Sequence, residues 1–295
     1  MRPGRFRHFA AIDWSGAAGE RHKGIALAIC GTGHAAPELV RPAHRWSRAE
    51  VLHWLTHELP DNTLVGMDLG ISLAFADVGA FFPGWAGSPP DARSLWALVD
   101  SMAADDAHLS VGSFVDHPHI APHFRRHGGR EGAYFSADGK GGGRGRLRVT
   151  ERAQEAQGCK PYSNFNLVGA AQVGKSSLSG MRVLHRLAGR LPVWPIDPLP
   201  PRGSVVCEIY TTIAAMAAGR TAARSKIRDG GELDLALARL GSTPAGQPGA
   251  IDDHRSDAIL TAAWLRTAAH EACLWNPAGL TDAIARTEGW TFGAR

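Results

Sequence analysis

Residues 7–30, RHFAAIDWSGAAGERHKGIALAIC, place two short apolar runs, 7–13 and 23–30, on either side of a glycine-rich stretch. Runs of this length bounded by turn residues predict two strands joined as a hairpin. The first run ends on Asp13, so a carboxylate stands where a strand leaves the core. A third strand is expected at 38–46. Ser47, with Glu50 three places on, then reads as the capping box of an amphipathic helix that Pro60 and Asp61 bring to an end.

Working outward, TLVGMDLGI (63–71) predicts a buried strand running into Asp68, and 91–104 reads as a helix. Regular patterning returns with a helix at 176–190, a short strand in PVWPI (192–196), a buried strand in SVVCEIY (204–210) and a helix from Thr211. The segment from Asp252 to Trp275 is a long helix with Ile259, Leu260, Ala263 and Trp264 on a common apolar face. A strand meander followed by alternating strands and helices predicts an α/β fold, one domain over 1–295, with a mixed sheet flanked by helices. Residues 105–162, rich in Gly, Arg and His, read as an insertion or mobile flap.

Composition narrows the function classes. At 295 residues, 44% hydrophobic and 20% charged, the chain is neither a disordered polymer nor a disulfide scaffold. No apolar run reaches the roughly 18 residues of a membrane span, and Asp13 interrupts the N-terminal stretch too early for an export signal, so a cytoplasmic location is expected. Cys30, Cys159, Cys207 and Cys273 lie far apart and read as free thiols. A net charge of +4 favours polyanionic partners without specifying one.

Three strands carry an acid inside or at the end of apolar sequence: Asp13, Asp68 and Glu208. A fourth acid, Asp257, opens the last long helix, with Asp253 four residues and His254 three residues before it on one face. Each acid alone reads equally well as a cap or a local hydrogen bond. Brought together, four carboxylates repel one another unless a divalent cation binds, and Mg²⁺ or Mn²⁺ suits hard oxygen ligands. A pair of such ions about 4 Å apart can activate water and stabilise the leaving oxygen of a phosphodiester.

In order along the chain, AIDWSGA, VGMDLGIS, VVCEIY and HRSDAILTAAWL resemble the ribonuclease H-like superfamily. The similarity is greatest to an uncharacterised family of predicted nucleases (domain of unknown function four-two-nine), and the last helix also resembles that of Holliday-junction resolvases. NLVGAAQVGKSSLSGMRVLHRL, VWPID and EGWTFG look like further family features. The resemblance implies a ribonuclease H-like fold and a nucleic-acid substrate. It also implies Asp13 as the bridging metal ligand, Asp68, Glu208 and Asp257 as further ligands, and Asp253 or His254 assisting. Thr211 departs from the Pro that follows EIY in such families, and Trp14 is a bulky neighbour for the first acid.

Other features stay open at this stage. GAAQVGKS (169–176) satisfies the Walker A pattern, with Lys175 and Ser176 in the phosphate and magnesium roles and Asp197 downstream, although a polar segment and not a strand precedes it. An actin-like ATPase or phosphotransferase and a non-catalytic binding module are the rival functions. Between Phe124 and Arg152 lie eight basic residues, among them Arg144, Arg146 and Arg148, which could neutralise phosphates while Tyr134 and Phe135 stack on bases; a solvated loop is the plain alternative. His117, His119, His123 and His127 could bind zinc, or be exposed loop histidines.

Overall fold

The structure, a computed structural model, describes residues 5–136, 144–169, 172–247 and 249–295. The opening hairpin forms as expected, with β1 at His8–Asp13 antiparallel to β2 at Ala26–Gly31. β3 shrinks to Glu38–Leu39. β4 is Thr63–Asp68, β5 is Val193–Trp194 and β6 is Val205–Glu208. They form one mixed sheet in the order β3-β2-β1-β4-β6-β5, antiparallel among the first three strands and parallel from β1 through β4 and β6 to β5. The chain is therefore α/β.

Helix α1 (Arg48–His53) starts on the expected capping box. Ser47 Oγ accepts from the Glu50 N–H (3.1 Å), and the Glu50 carboxylate accepts from the Ser47 N–H (2.8 Å). Ser47→Ala is expected to cost about 1 kcal/mol, the usual worth of such a cap. Denaturant titration reads the loss, and Ser47→Thr should recover most of it.

Helices cover both faces of the sheet. On one, α2 (Ala92–Met102) and α5 (Val173–Arg186) pack over Ile12, Val65, Met67 and Val206. On the other, α6 (Thr211–Ala217), a helix at Gly230–Arg239 that the periodicity did not bring out, and the helix at Asp253–Ala268 pack over Ala11, Leu64 and Cys207. Below, α8 denotes this last helix, with α3 at Gly112–Asp116, α4 at Val149–Ala156 and α7 at Gly230–Arg239. α8 is buried almost all round because β1 and β2 lie on one side of it and α6 and α7 on the other. Gly66 permits the close approach: a Cβ there would fall 2.9 Å from Leu265 Cδ1 and 2.6 Å from Ile209 Cγ2.

The segment 105–162, expected as an insertion or mobile flap, contributes to the core through its described residues. Phe114, Ile120, Phe124, Phe135 and Leu147 enter the core, and α3 and α4 fall within the segment. Residues 137–143, with Lys140, lie outside the described residues. No helix among the described residues is long and apolar enough to cross a membrane. All four cysteines are free, Cys273 alone of them exposed.

Candidate functional site

The carboxyl ends of β1 and β4 are where the acids meet. The two strands pair in parallel with Asp13 beside Asp68. In-register residues share a sheet face, and this face is the one α8 covers. The Nδ1–H of His254, in the first turn of α8, donates to Asp13 Oδ2 (2.6 Å). One turn on, buried Asp257 accepts from the Lys226 ammonium and lies 3.4 Å from the Thr211 hydroxyl. Asp253 pairs instead with Arg228 (3.2 Å).

Charge is crowded here. Burial, then the charge of Asp13, pushes the Asp68 carboxyl well above the usual carboxylate range, and Asp257 adds to the push while Lys226 opposes it. Asp257 is raised to about 6 by burial first; Lys226 offsets this in part and Asp13 reinforces it. Burial works against the Lys226 ammonium, yet Asp257, then Asp68 and Asp13, hold it above the ordinary lysine range. His254 is also raised, chiefly by its bond to Asp13. Lys226, half-exposed, is thus the counter-ion of Asp257 and is also attracted by Asp68 and Asp13. As a lysine in the loop segment SKIRDG it carries no mark that separates it from a solvated one.

Glu208 does not join this group, a correction to the expected ligand set. In the sheet it pairs with Met67 and not with Asp68, so the one-residue offset turns it to the opposite face. There Arg148 grips it with two bonds (2.6 and 2.8 Å), the Ile71 N–H donates to it (2.8 Å) and the Thr291 hydroxyl donates to it as well. Arg148 also pairs with Glu151 (2.5 Å), all three side chains being buried. The C-terminal EGWTFG segment supports the network: the Glu288 carbonyl accepts from Arg148 (3.0 Å) and the Phe292 N–H donates to the Glu208 carbonyl (2.8 Å).

The expected phosphate-binding arginines are likewise committed. Arg146 is buried, paired with Asp77 (2.6 Å) and donating to the carbonyls of Ala74, Ala80 and Phe81. Arg144 pairs with Glu155 and donates to the Pro161 carbonyl. Phe135 is buried and cannot stack on a base; Tyr134 is exposed and stacks on His123. His123 is itself buried between Phe82 and Tyr134, with burial pushing it down to about 4, while His117 and His119 pack around Trp85.

The Walker-like segment is no phosphate cradle among its described residues. Ala170 and Ala171 lie outside them, and the described element next before α5 is the helix α4, not a strand. Its first N–H groups already have partners: Gly174 donates to the Asn166 carbonyl (3.0 Å), and Lys175 to that of Gln172 (3.2 Å). Asp197, the downstream acid, is held by Arg93 and caps the Val193 N–H (2.7 Å). Lys175 lines a separate cavity of about 370 Å³ with Arg48, Asp116 and Arg126.

A larger cavity, about 910 Å³, opens over the strand ends. Asp68 and Lys226 line it with Trp14, Ser15, Asn164 and Tyr210. Its wall depends on Gly16, where a Cβ would fall 2.4 Å from the Ser176 backbone nitrogen. Any side chain there would push the loop after β1 off the start of α5.

Among the described residues no group of three or more His, Cys, Asp or Glu side chains is arranged to hold a metal ion. The donor chemistry nevertheless fits a hard divalent cation. Asp13 and Asp68 adjoin, Asp68 is costly to ionise without a positive neighbour, and Asp257 would become a third oxygen donor if Lys226 withdrew. No family model, no curated protein and no solved structure matches this chain, so the geometry of the strand ends carries the functional reading.

Proposed function

We propose that the chain is a divalent-metal-dependent phosphodiesterase acting on nucleic acid, built on a ribonuclease H-like sheet. One observation carries it: Asp13 and Asp68 stand side by side at the carboxyl ends of the two central strands, faced by His254 and Asp257 from α8. The strand order, with three antiparallel strands followed by parallel ones, supports the fold assignment.

Asp13 and Asp68 would hold Mg²⁺ or Mn²⁺, with Asp257 as the third ligand; Glu208 has no part in it. The bound ion would supply Lewis acidity and a lowered pKa for an attacking water. His254 fixes the orientation of the Asp13 carboxylate through Nδ1. Lys226, which lines the same cavity, would be freed from Asp257 by such an ion and would then offer its positive charge to a phosphate.

A non-catalytic binding module is the second reading, favoured by one observation: the Lys226–Asp257 pair neutralises an acid without any ion. Incubation with single- and double-stranded DNA and RNA in Mg²⁺, in Mn²⁺ and in chelator separates the two. Cleavage confined to the metal-containing reactions is expected, whereas binding without cleavage would favour the module. Inertness towards every substrate would count against both.

A further inference from the structure

A second groove, about 550 Å³, lies beside the acidic site between the β2–β3 edge and the first turn of α8. Lys23, Arg41, Arg45 and Arg255 line it together with His44 and His254, against a single acid, Asp252. That acid is already matched: its carboxylate pairs with Arg255 (3.1 Å) and caps α8. Arg41 is held by Glu58 (2.8 Å). Lys23 and Arg45 are different, being exposed with side chains that have no ion-pair or hydrogen-bond partner among the described residues.

The groove adjoins the acidic site without sharing a lining residue with the large cavity. His254 lines it and bonds to Asp13. Gly24, next to Lys23, is in contact range of both His254 and Ser15, the latter on the wall of the large cavity: a Cβ on Gly24 would stand 3.3 Å from each. A cluster of carboxylates therefore stands next to a groove rich in cations, with His254 between them.

We propose that this groove carries the phosphate chain of the substrate strand on one side of the bond to be cut, with Lys23 and Arg45 as phosphate contacts. The assignment rests on the nucleic-acid reading of the acidic site and replaces the arginines of 144–148, which the fold consumes. A phosphate chain meets the requirement because it brings repeated negative charge along one line to two free cations and leaves the paired ones undisturbed.

Fluorescence anisotropy of labelled oligothymidylate, titrated in chelator at several salt concentrations, tests it. Each phosphate contact to a single strand contributes about 0.7 to the slope of log affinity against log salt. Lys23→Gln/Arg45→Gln should therefore weaken binding and reduce the slope by about 1.4. Arg190→Gln, an exposed arginine just beyond the far end of α5, should leave it unchanged. An unchanged slope in the double variant, with wild-type binding and metal-dependent cleavage intact, would overturn the groove and leave the nuclease reading standing. An equal loss from Arg190→Gln would overturn it as a bulk charge effect. Equal wild-type affinity for polyglutamate would assign the groove to an acidic protein partner, and failure of wild type to bind the oligonucleotide would overturn the groove and the nucleic-acid reading together.

Discussion

Asp68→Asn is expected to abolish metal-dependent cleavage, by on the order of 10²–10³-fold or more, the cost of removing one charge-stabilising group at a reacting centre. In chelator the same substitution should leave the melting temperature unchanged or raise it. The sign follows from linkage. A carboxyl whose folded pKa lies above its unfolded value near 4 costs stability as pH rises past that value, and the cost stops growing only above the folded pKa. Asp68 is raised by burial and by Asp13, and Asp257 is raised to about 6. Asp68 and Asp257 should therefore cost the metal-free protein stability as pH climbs from about 4 through 6, against the gain from the buried imidazoles of His22 and His123, both lowered to about 4, so the difference between Asp68→Asn and wild type isolates the carboxyl's share. Asp13→Asn should also abolish cleavage while the circular dichroism spectrum is retained. Thermal melts across pH, run beside cleavage assays, check all of this. A variant that lost both activity and fold would mark Asp68 as structural.

Arg148→Met should be the most damaging single substitution for stability. Arg148 is the cation between Glu151 and Glu208, both buried, and it donates as well to the Glu288 carbonyl. Burial opposes its charge, yet Glu151 and Glu208 hold the guanidinium above the ordinary arginine range. Methionine fills much of the volume and leaves two buried carboxyls without a cation. Removing one partner of a buried ion network costs about 3–5 kcal/mol, a large share of the roughly 5–15 kcal/mol that holds a domain folded. Denaturant titration reads the loss directly. Glu208→Gln is the companion: it should lower stability and leave Mn²⁺ affinity close to wild type, because Glu208, although it lines the same cavity as Asp68, is already held by Arg148, the Ile71 N–H and the Thr291 hydroxyl. A large fall in Mn²⁺ affinity would return Glu208 to the ligand set.

The strand meander, the capping box at Ser47 and the buried runs that become β4 and β6 were legible because local patterning alone specifies them. The pairing of Asp13 with Asp68 depends on β1 and β4 lying parallel and in register, which the strand-end acids suggested and did not fix. The face of Glu208 was not legible. It depends on whether β6 aligns its acid with Asp68 or with Met67, a one-residue choice made by tertiary packing. Arg146 and Arg148 sit in a glycine- and arginine-rich run whose composition matches a solvated loop. Only the carbonyls of 74–81 and the acids at 151 and 208 show why that run is drawn inward. Lys226 escaped for a related reason: the cation that balances the carboxylates comes from a loop between helices, not from any segment that carries the acids.

Whether Asp13 and Asp68 share a divalent cation is read from an anomalous difference map of crystals soaked in MnCl₂. A peak between the Asp13 and Asp68 carboxylates, with the Lys226 ammonium drawn away from Asp257, is the predicted result. Both carboxylates free of manganese at a concentration that loads other sites, with Lys226 still bound to Asp257, would contradict it.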